Sequence, residues 1–301
     1  MEVLEGVFVE QDESLGYGSF CCVKRAVLNG RKCAVKFLQE SQMRNLSAFQ
    51  RFRNERRLLS RIRHPHIIGY YGAAEHKKGL EMLVLELMSQ DLHSFLAKRR
   101  SAHPGLPLYR KVDLCSDIAE GLRYLHSQHP AIIHRDLSDT NILISLSCSR
   151  AKISDFGMAR EIDAGSPPSP NRLTPNPGSS PYMPPEARGR SPRYSTGIDV
   201  FAFGVLMLQI DVLLRPNPGP ETKEIVLNFS FTKPLIKIVS ERDRRQEHIQ
   251  LLSADDPLRN IIFQCLEDTQ EERPTTADLC LQLGKVKGSP AYANSYSPQV
   301  T

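Results

Sequence analysis

Val23, Arg25 and Val27 alternate with Lys24, Ala26 and Leu28, a two-residue period that predicts a strand. Asn29-Gly30 follows with the two positive-φ residues of a tight hairpin turn, and Arg31 to Phe37 reads as the returning strand. Residues 8–38 therefore read as strands. Over residues 46–62 the period changes: Leu46, Phe49, Phe52, Leu59 and Ile62 recur at multiples of three and four on one face of a helix, and Pro65 ends the pattern. Leu80 to Met88 is a short, mostly apolar run that fits a buried strand.

Beyond residue 90 the pattern turns helical. Cys115, Ile118, Ala119, Leu122, Leu125 and His126 form the stripe of an amphipathic helix, and Ala131 to Ile144 reads as short strands and loop. Residues 163–181 are rich in Pro, with Gly, Ser and Asn, and predict an irregular loop. Asp199 to Ile210 is a nearly continuous apolar helix expected to be buried all round. Leu258 to Leu266 and Thr276 to Leu283 read as further helices, while the tail from Lys285 lacks periodicity and reads as disordered. A strand-rich first third and a helix-rich remainder, divided near residues 88–91, predict an α+β protein of two lobes with a cleft between them, a common place for a ligand.

Composition narrows the class only slightly. The 301 residues allow one or two domains, and 40% apolar residues suffice for a sizeable core. The formal charge of +5 is spread along the chain, so no nucleic-acid surface is called for. Seven Cys at irregular spacings include no CxxC pair, which argues against zinc or thioredoxin-like chemistry and for reduced thiols in a cytosolic setting. Met1 to Glu13 has no basic stretch leading into an apolar run, so no signal peptide is expected. No apolar run reaches the ~18 residues of a membrane span.

The candidate chemistry begins at Leu15-Gly16-Tyr17-Gly18-Ser19-Phe20-Cys21-Cys22-Val23, a glycine-rich turn whose backbone can approach phosphates without a Cβ in the way. A dinucleotide fold needs a helix directly after such a turn, and strand-like residues follow here. Lys36 falls on the apolar returning strand, where it either snorkels outward or faces an anion. Glu55 lies mid-helix among arginines, and each of these two residues taken alone fits a solvated charge as well as a site. Further on, His134-Arg135-Asp136-Leu137-Ser138-Asp139-Thr140-Asn141 is followed by Asp155-Phe156-Gly157. Two carboxylates and a carboxamide on loops suit magnesium, a hard cation that takes oxygen ligands, and a further carboxylate can accept a proton from a hydroxyl.

Taken together these motifs resemble the eukaryotic protein kinases over roughly residues 10–285, with the glycine loop, strand Lys, helix Glu, HRD loop, DFG, a PPE at 184–186 and Asp-Val-Phe-Ala-Phe-Gly at 199–204 in the family's order. The resemblance implies a bilobal fold, with a small antiparallel-sheet lobe bearing one main helix (about 10–88) and a larger helical lobe (about 91–285). Residues 1–9 would be an extension and 286–301 a disordered tail. It also implies ATP with magnesium, or manganese as an alternative. Leu15, Gly16 and Gly18 would cover the nucleotide. Lys36 would hold its α- and β-phosphates and pair with Glu55. Asp136 would orient and deprotonate the acceptor hydroxyl, and Asn141 and Asp155 would carry the metal. Val23, Ala34 and Leu143 would sandwich the adenine, Glu86 and Met88 would meet it through backbone groups, and Leu85 would take the gatekeeper position. Arg273 would pair with Glu186.

Departures from the family pattern bear on the reaction. Cys21 stands at the third glycine, and Ser138 stands where serine/threonine kinases usually carry Lys. Gly178 to Met183 looks like the serine/threonine class, and Lys152 to Arg160 looks more like tyrosine kinases. The mixture resembles the tyrosine-kinase-like group and implies transfer to protein Ser and Thr. Tyrosine specificity is one alternative, and a pseudokinase scaffold that binds ATP without efficient catalysis is another. A small-molecule kinase is disfavoured by the PPE segment and Glu-Arg-Pro. Ser166, Ser169, Thr174, Ser179 and Ser180 are candidate targets of an upstream kinase, four of them before proline, and their phosphate would pair with Arg135. A cytoplasmic location, or the cytoplasmic part of a larger membrane-associated protein, is expected.

Overall fold

The computed structural model describes residues 4–76, 80–101, 106–162, 182–187, 195–212, 252 and 254–296. The chain divides into two compact units, Met1–Gln90 with Leu143–Ala159, and Asp91–Ile142 with Arg160–Thr301.

The first unit is built on a five-stranded antiparallel sheet of order β1-β2-β3-β5-β4: β1 (Val7–Tyr17), β2 (Cys21–Leu28), β3 (Arg31–Leu38), β4 (Tyr70–His76) and β5 (Leu80–Glu86). The β2–β3 hairpin turns on Asn29 and Gly30, at φ 47° and 81°, as their pairing requires. On one face Ala26, Cys33, Val35, Ala74, Met82 and Val84 form a core cluster. Helix α1 (Leu46–Leu59) begins at Asn45, whose side chain accepts the N–H groups of Ser47 and Ala48. Later in the chain β9 (Ala151–Ile153) pairs with β8 (Ile142–Ile144) and precedes a 3₁₀ turn at Phe156–Met158.

Two expectations fail in this unit. Residues 7–9, which the resemblance assigns to an extension although 8 and 9 also read as strand, belong to the sheet: Val7 pairs with Leu28, and the Leu4 N–H reaches Ala73 O at 2.8 Å. Leu46 and Phe49, read on the buried face of α1, lie outward at 78% and 43% exposure. The face turned inward carries Ala48, Phe52, Glu55, Leu58 and Leu59. A charged residue in that row hides it from a hydrophobic count, and its ion pair is what allows it there.

The second unit is mainly helical: α2 (Leu92–Ser101), α3 (Leu108–His126), α4 (Gly197–Val212), α5 (Arg259–Cys265), α6 (Thr276–Lys287) and α7 (Pro290–Asn294). Strand β7 (Ala131–Ile133) pairs with β10 (Arg160–Ile162), and β6 is the two-residue strand Gln90–Asp91. From Ile198 to Asp211 every residue of α4 is buried, as its apolar run requires. Full burial of each Phe, Leu or Ile there stabilises by about 1.5–3 kcal/mol. Helix α3 packs on both α4 and α6, and buried Lys111 meets Asp211 at 2.8 Å.

The tail is a correction as well. Helix α6 runs on to Lys287, and α7 follows, opened by Ser289 with Pro290 in its first turn. Tertiary contacts order these residues. Tyr292 Oη donates to Asp113 at 2.8 Å, Tyr296 stacks on Tyr109 at 4.2 Å, and Ser295 Oγ accepts the Tyr109 N–H at 2.9 Å. Residues 163–181, with the five candidate modification sites, lie outside the described residues.

Candidate active site

Strand alternation decides where Lys36 points. Cys33 and Val35 enter the sheet core, so Ala34 and Lys36 take the opposite face. Val23 pairs opposite Lys36, and Leu85 opposite Ala34, which puts all four on that face. Lys36 Nζ lies 2.7 Å from Glu55 Oε2 and 3.2 Å from Asp155 Oδ1, with Lys36 and Glu55 both buried. Burial alone would lower the Lys36 pKa, but Asp155 and Glu55 outweigh it and hold the ammonium above its ordinary value. Burial pushes Glu55 up to about 7, against the pull of Lys36.

Asp155 is held in the left-handed region, φ 60°, and its Oδ1 accepts the Gly157 N–H at 3.3 Å. Such backbone geometry persists only where its surroundings fix it. Phe156 supplies one anchor, fully buried. Helix α1 supplies another: Asn54 Nδ2 donates to Ala159 O at 2.9 Å and Phe156 O at 3.2 Å.

At Gly16 a Cβ would meet no atom within 4 Å, and the backbone has no positive φ there. Neither local packing nor conformation calls for glycine at that place. Gly18 N–H closes the turn onto Cys21 O at 2.9 Å, directly after β1, the strand that carries Leu15. The Cys21 thiol is pushed up to about 11 by burial, so it stays protonated near neutrality.

Glu86 ends β5, and its N–H is taken by Gly69 O at 2.8 Å. Its carboxylate meets Lys152 Nζ at 2.6 Å. Met88 is buried, and Leu143 is half-buried on β8.

In the second unit the loop His134–Asn141 hangs on one buried carboxylate. Asp199, from α4, accepts the backbone N–H groups of His134 and Arg135 at 2.8 and 2.9 Å and the His126 Nε2–H at 2.9 Å. Burial would raise its pKa, but the hydrogen bond and charge of His126 hold it below the usual carboxylate value. Asn141 Nδ2 donates to Asp136 O at 2.7 Å and to Asp136 Oδ2 at 3.3 Å. That fixes the orientation of the carboxamide. Ser138 Oγ pairs with Thr140 Oγ1 at 3.0 Å.

Asp139, buried in the same loop, accepts the His93 Nδ1–H at 3.0 Å, and its N–H reaches Tyr182 Oη at 3.3 Å. Tyr182 in turn donates to Gln209 Oε1 at 2.9 Å. Arg273 grips Glu186 through Nη1 at 2.6 Å and Nη2 at 3.0 Å, in the pairing expected. The first unit thus carries a buried Lys against two carboxylates beside the Asp-Phe-Gly turn, and the second carries an Asp–Asn loop pinned from a buried helix.

The model of the protein kinase domain matches residues 9–283. The chain belongs to the protein kinase domain family. Among its relatives, the serine/threonine-protein kinase VIK of Arabidopsis thaliana is 30% identical over 91% of this chain and 59% of its own length. The serine/threonine-protein kinase CTR1 of the same plant is 31% identical over 73% of this chain and 26% of its own length. The dual specificity protein kinase shkD of Dictyostelium discoideum is 27% identical over 92% of this chain and 34% of its own length. The chain thus spans from about a quarter to three fifths of the length of these relatives. A protein kinase domain works with ATP, a divalent metal and protein substrates. Among the described residues no helix is long and apolar enough to cross a membrane.

Several residues that hold this kinase site together carried no role in the sequence. Asp199 stood out only as part of a motif. Asn54, Lys152 and Asp139 have no role assigned from the sequence, because their partners lie 102, 66 and 46 positions away.

Proposed function

We propose that this chain transfers the γ-phosphoryl group of ATP to Ser and Thr hydroxyls of proteins. The observation that carries the reading is Lys36 Nζ within 3.2 Å of both Glu55 and Asp155, a buried cation set between a helix carboxylate and the carboxylate of the Asp-Phe-Gly turn.

In this reading Glu55 aims Lys36 at the α- and β-phosphates. Gly16 and Gly18, with Leu15, cover the nucleotide, and the open space beside Gly16 is what close approach of a ligand would use. Val23, Ala34 and Leu143 take the adenine, with Glu86 and Met88 meeting its edge through the backbone. Asn141 and Asp155 hold Mg2+, or Mn2+ in its place. Their carboxamide and carboxylate oxygens are donors of the kind a hard cation takes. When bound, the metal neutralises phosphate charge that develops in transfer. Asp136 orients the acceptor hydroxyl and takes its proton. The hydroxyl oxygen bonds to the γ-phosphorus as the bond to the β-phosphate oxygen breaks, and ADP leaves.

For the class of hydroxyl, two of the relatives described carry serine/threonine names and one a dual-specificity name. A cytoplasmic location and an upstream kinase acting on the 163–181 loop belong to the same reading. The test is phosphoamino-acid analysis of a generic protein substrate labelled from γ-32P-ATP. Phosphoserine and phosphothreonine are expected. Phosphotyrosine alone would reassign the class, and no label would favour the scaffold.

A further inference from the structure

Asn54 sits one residue before Glu55 on α1, a step of about 100° around the helix. It is half-buried, and its Nδ2 faces three carbonyls of a single turn: Ala159 O at 2.9 Å, Phe156 O at 3.2 Å and Gly157 O at 3.4 Å. Two N–H protons are shared among these three oxygens. The orientation of the amide is fixed from its other end, where Oδ1 accepts Arg57 Nη2–H at 3.2 Å. Turned over, the amide would set its oxygen against three carbonyl oxygens.

Its neighbours grip the same turn. The Glu55 carboxylate accepts the Phe156 N–H as well as the Lys36 ammonium. A Cβ at Gly157 would lie 3.4 Å from Arg51 Cβ, so the helix is packed against the turn. Arg51 also lies over the Phe20 ring of the glycine-rich turn, 5.0 Å from its centre. Three residues of α1 therefore define the backbone path of 155–159. Asp155 begins that path in the left-handed region, so its carboxylate points where the following turn lets it.

We propose that Asn54 is a positioning residue for metal use: its amide locks the Asp155–Ala159 turn so that the Asp155 carboxylate is presented to a divalent cation. The proposal rests on the reading that Asp155 is a metal ligand. Asn54 touches neither nucleotide phosphates nor acceptor in that reading. Its loss should weaken metal binding and spare nucleotide binding that needs no metal.

The test compares the wild-type chain with Asn54→Ala and Asn54→Asp. Asp has the same shape but no donor, and it sets a carboxylate against the three carbonyls. Binding of a fluorescent ADP analogue is titrated in EDTA and then with MgCl2, and Tm is measured for each protein. In both variants the half-saturating Mg2+ concentration is expected to rise about tenfold or more, as when an outer-shell partner of a metal ligand is removed. The metal-free Kd for the analogue should stay within about twofold of wild type, since Lys36 and Glu55 are untouched. A lower Tm with unchanged Mg2+ half-saturation would show a purely structural residue and overturn the proposal. If Asn54→Ala does not fold, the isosteric Asn54→Asp decides by the same criterion. A wild-type chain whose nucleotide binding ignores Mg2+ would overturn the metal-ligand reading and this proposal with it. A metal-sensitive wild type with metal-sensitive variants of equal half-saturation would overturn only the role of Asn54.

Discussion

Asp199 Oδ2 accepts the backbone N–H of His134 at 2.8 Å, across 65 residues of chain. The neighbouring oxygen takes the Arg135 N–H, so the two residues before Asp136 are fixed from within the buried helix α4. Arg135 is held at φ 67°, a conformation that needs such support. Asp199→Asn places an amide NH2 against at least one of these donors and removes the charge that His126 meets. It should cost about 3–5 kcal/mol, the range for breaking a buried charged pair. Urea unfolding checks the stability, and a phosphotransfer assay in the folded range should show a loss of turnover.

Glu55 gives a pH signature. Its folded pKa, raised by burial to about 7, stands above the ordinary 4.5 of the free group. The folded chain therefore holds a proton on Glu55 that the unfolded chain releases in this window. The resulting stability is fully present below about pH 4.5 and is lost as pH rises through about 7. Glu55→Gln keeps the shape and cannot titrate. In Tm measurements on ligand-free protein from pH 5 to 8, wild type should lose ground steadily relative to Glu55→Gln. Parallel curves would refute the shift.

In the proposed reading Ser138 takes the place of a lysine that would neutralise the γ-phosphate, and its hydroxyl bonds to Thr140. Ser138→Lys should raise the single-turnover rate, with ~10²-fold as the scale for one contact to developing charge. An unchanged rate would mean that another group already does this work.

The N-terminus of α3 has no side-chain cap of its own, since Pro107 precedes it, and Ser295 from the C-terminal turn supplies the acceptor. Ser295→Ala should cost about 0.5–2 kcal/mol, as for loss of an N-cap. Truncation after Lys287 should cost more, because the Tyr292–Asp113 bond and the Tyr296–Tyr109 stack go with it. Denaturant midpoints of the two variants measure this directly.

Elements whose causes are local were legible in the sequence. Asn29-Gly30 can hardly avoid a hairpin, and the apolar run through Phe201 and Phe203 has nowhere to go but the interior. The order of the motifs also brought Lys36, Glu55 and Asp155 to attention, and the fold draws those three together. What stayed hidden depends on distant partners. The inward face of α1 contains Glu55, paired with Lys36, so the apolar row that starts at Leu46 and Phe49 does not coincide with the buried one. The helix at Pro290–Asn294 has no period to read, being too short and held by contacts to α3. Asn54 and Asp139 are ordinary polar letters until the turn and the histidine they meet are placed beside them.

The most direct test of a phosphoryl-transfer centre is single-turnover labelling of a protein substrate by γ-32P-ATP with Mg2+, comparing wild type with Asp136→Asn. If Asp136 accepts the hydroxyl proton as proposed, Asp136→Asn should slow transfer ~10²–10⁴-fold, while ATP binding, assigned in the same proposal to Lys36 and the glycine-rich turn, is retained. Equal rates in the two proteins, or no transfer in either, would contradict the role given to Asp136.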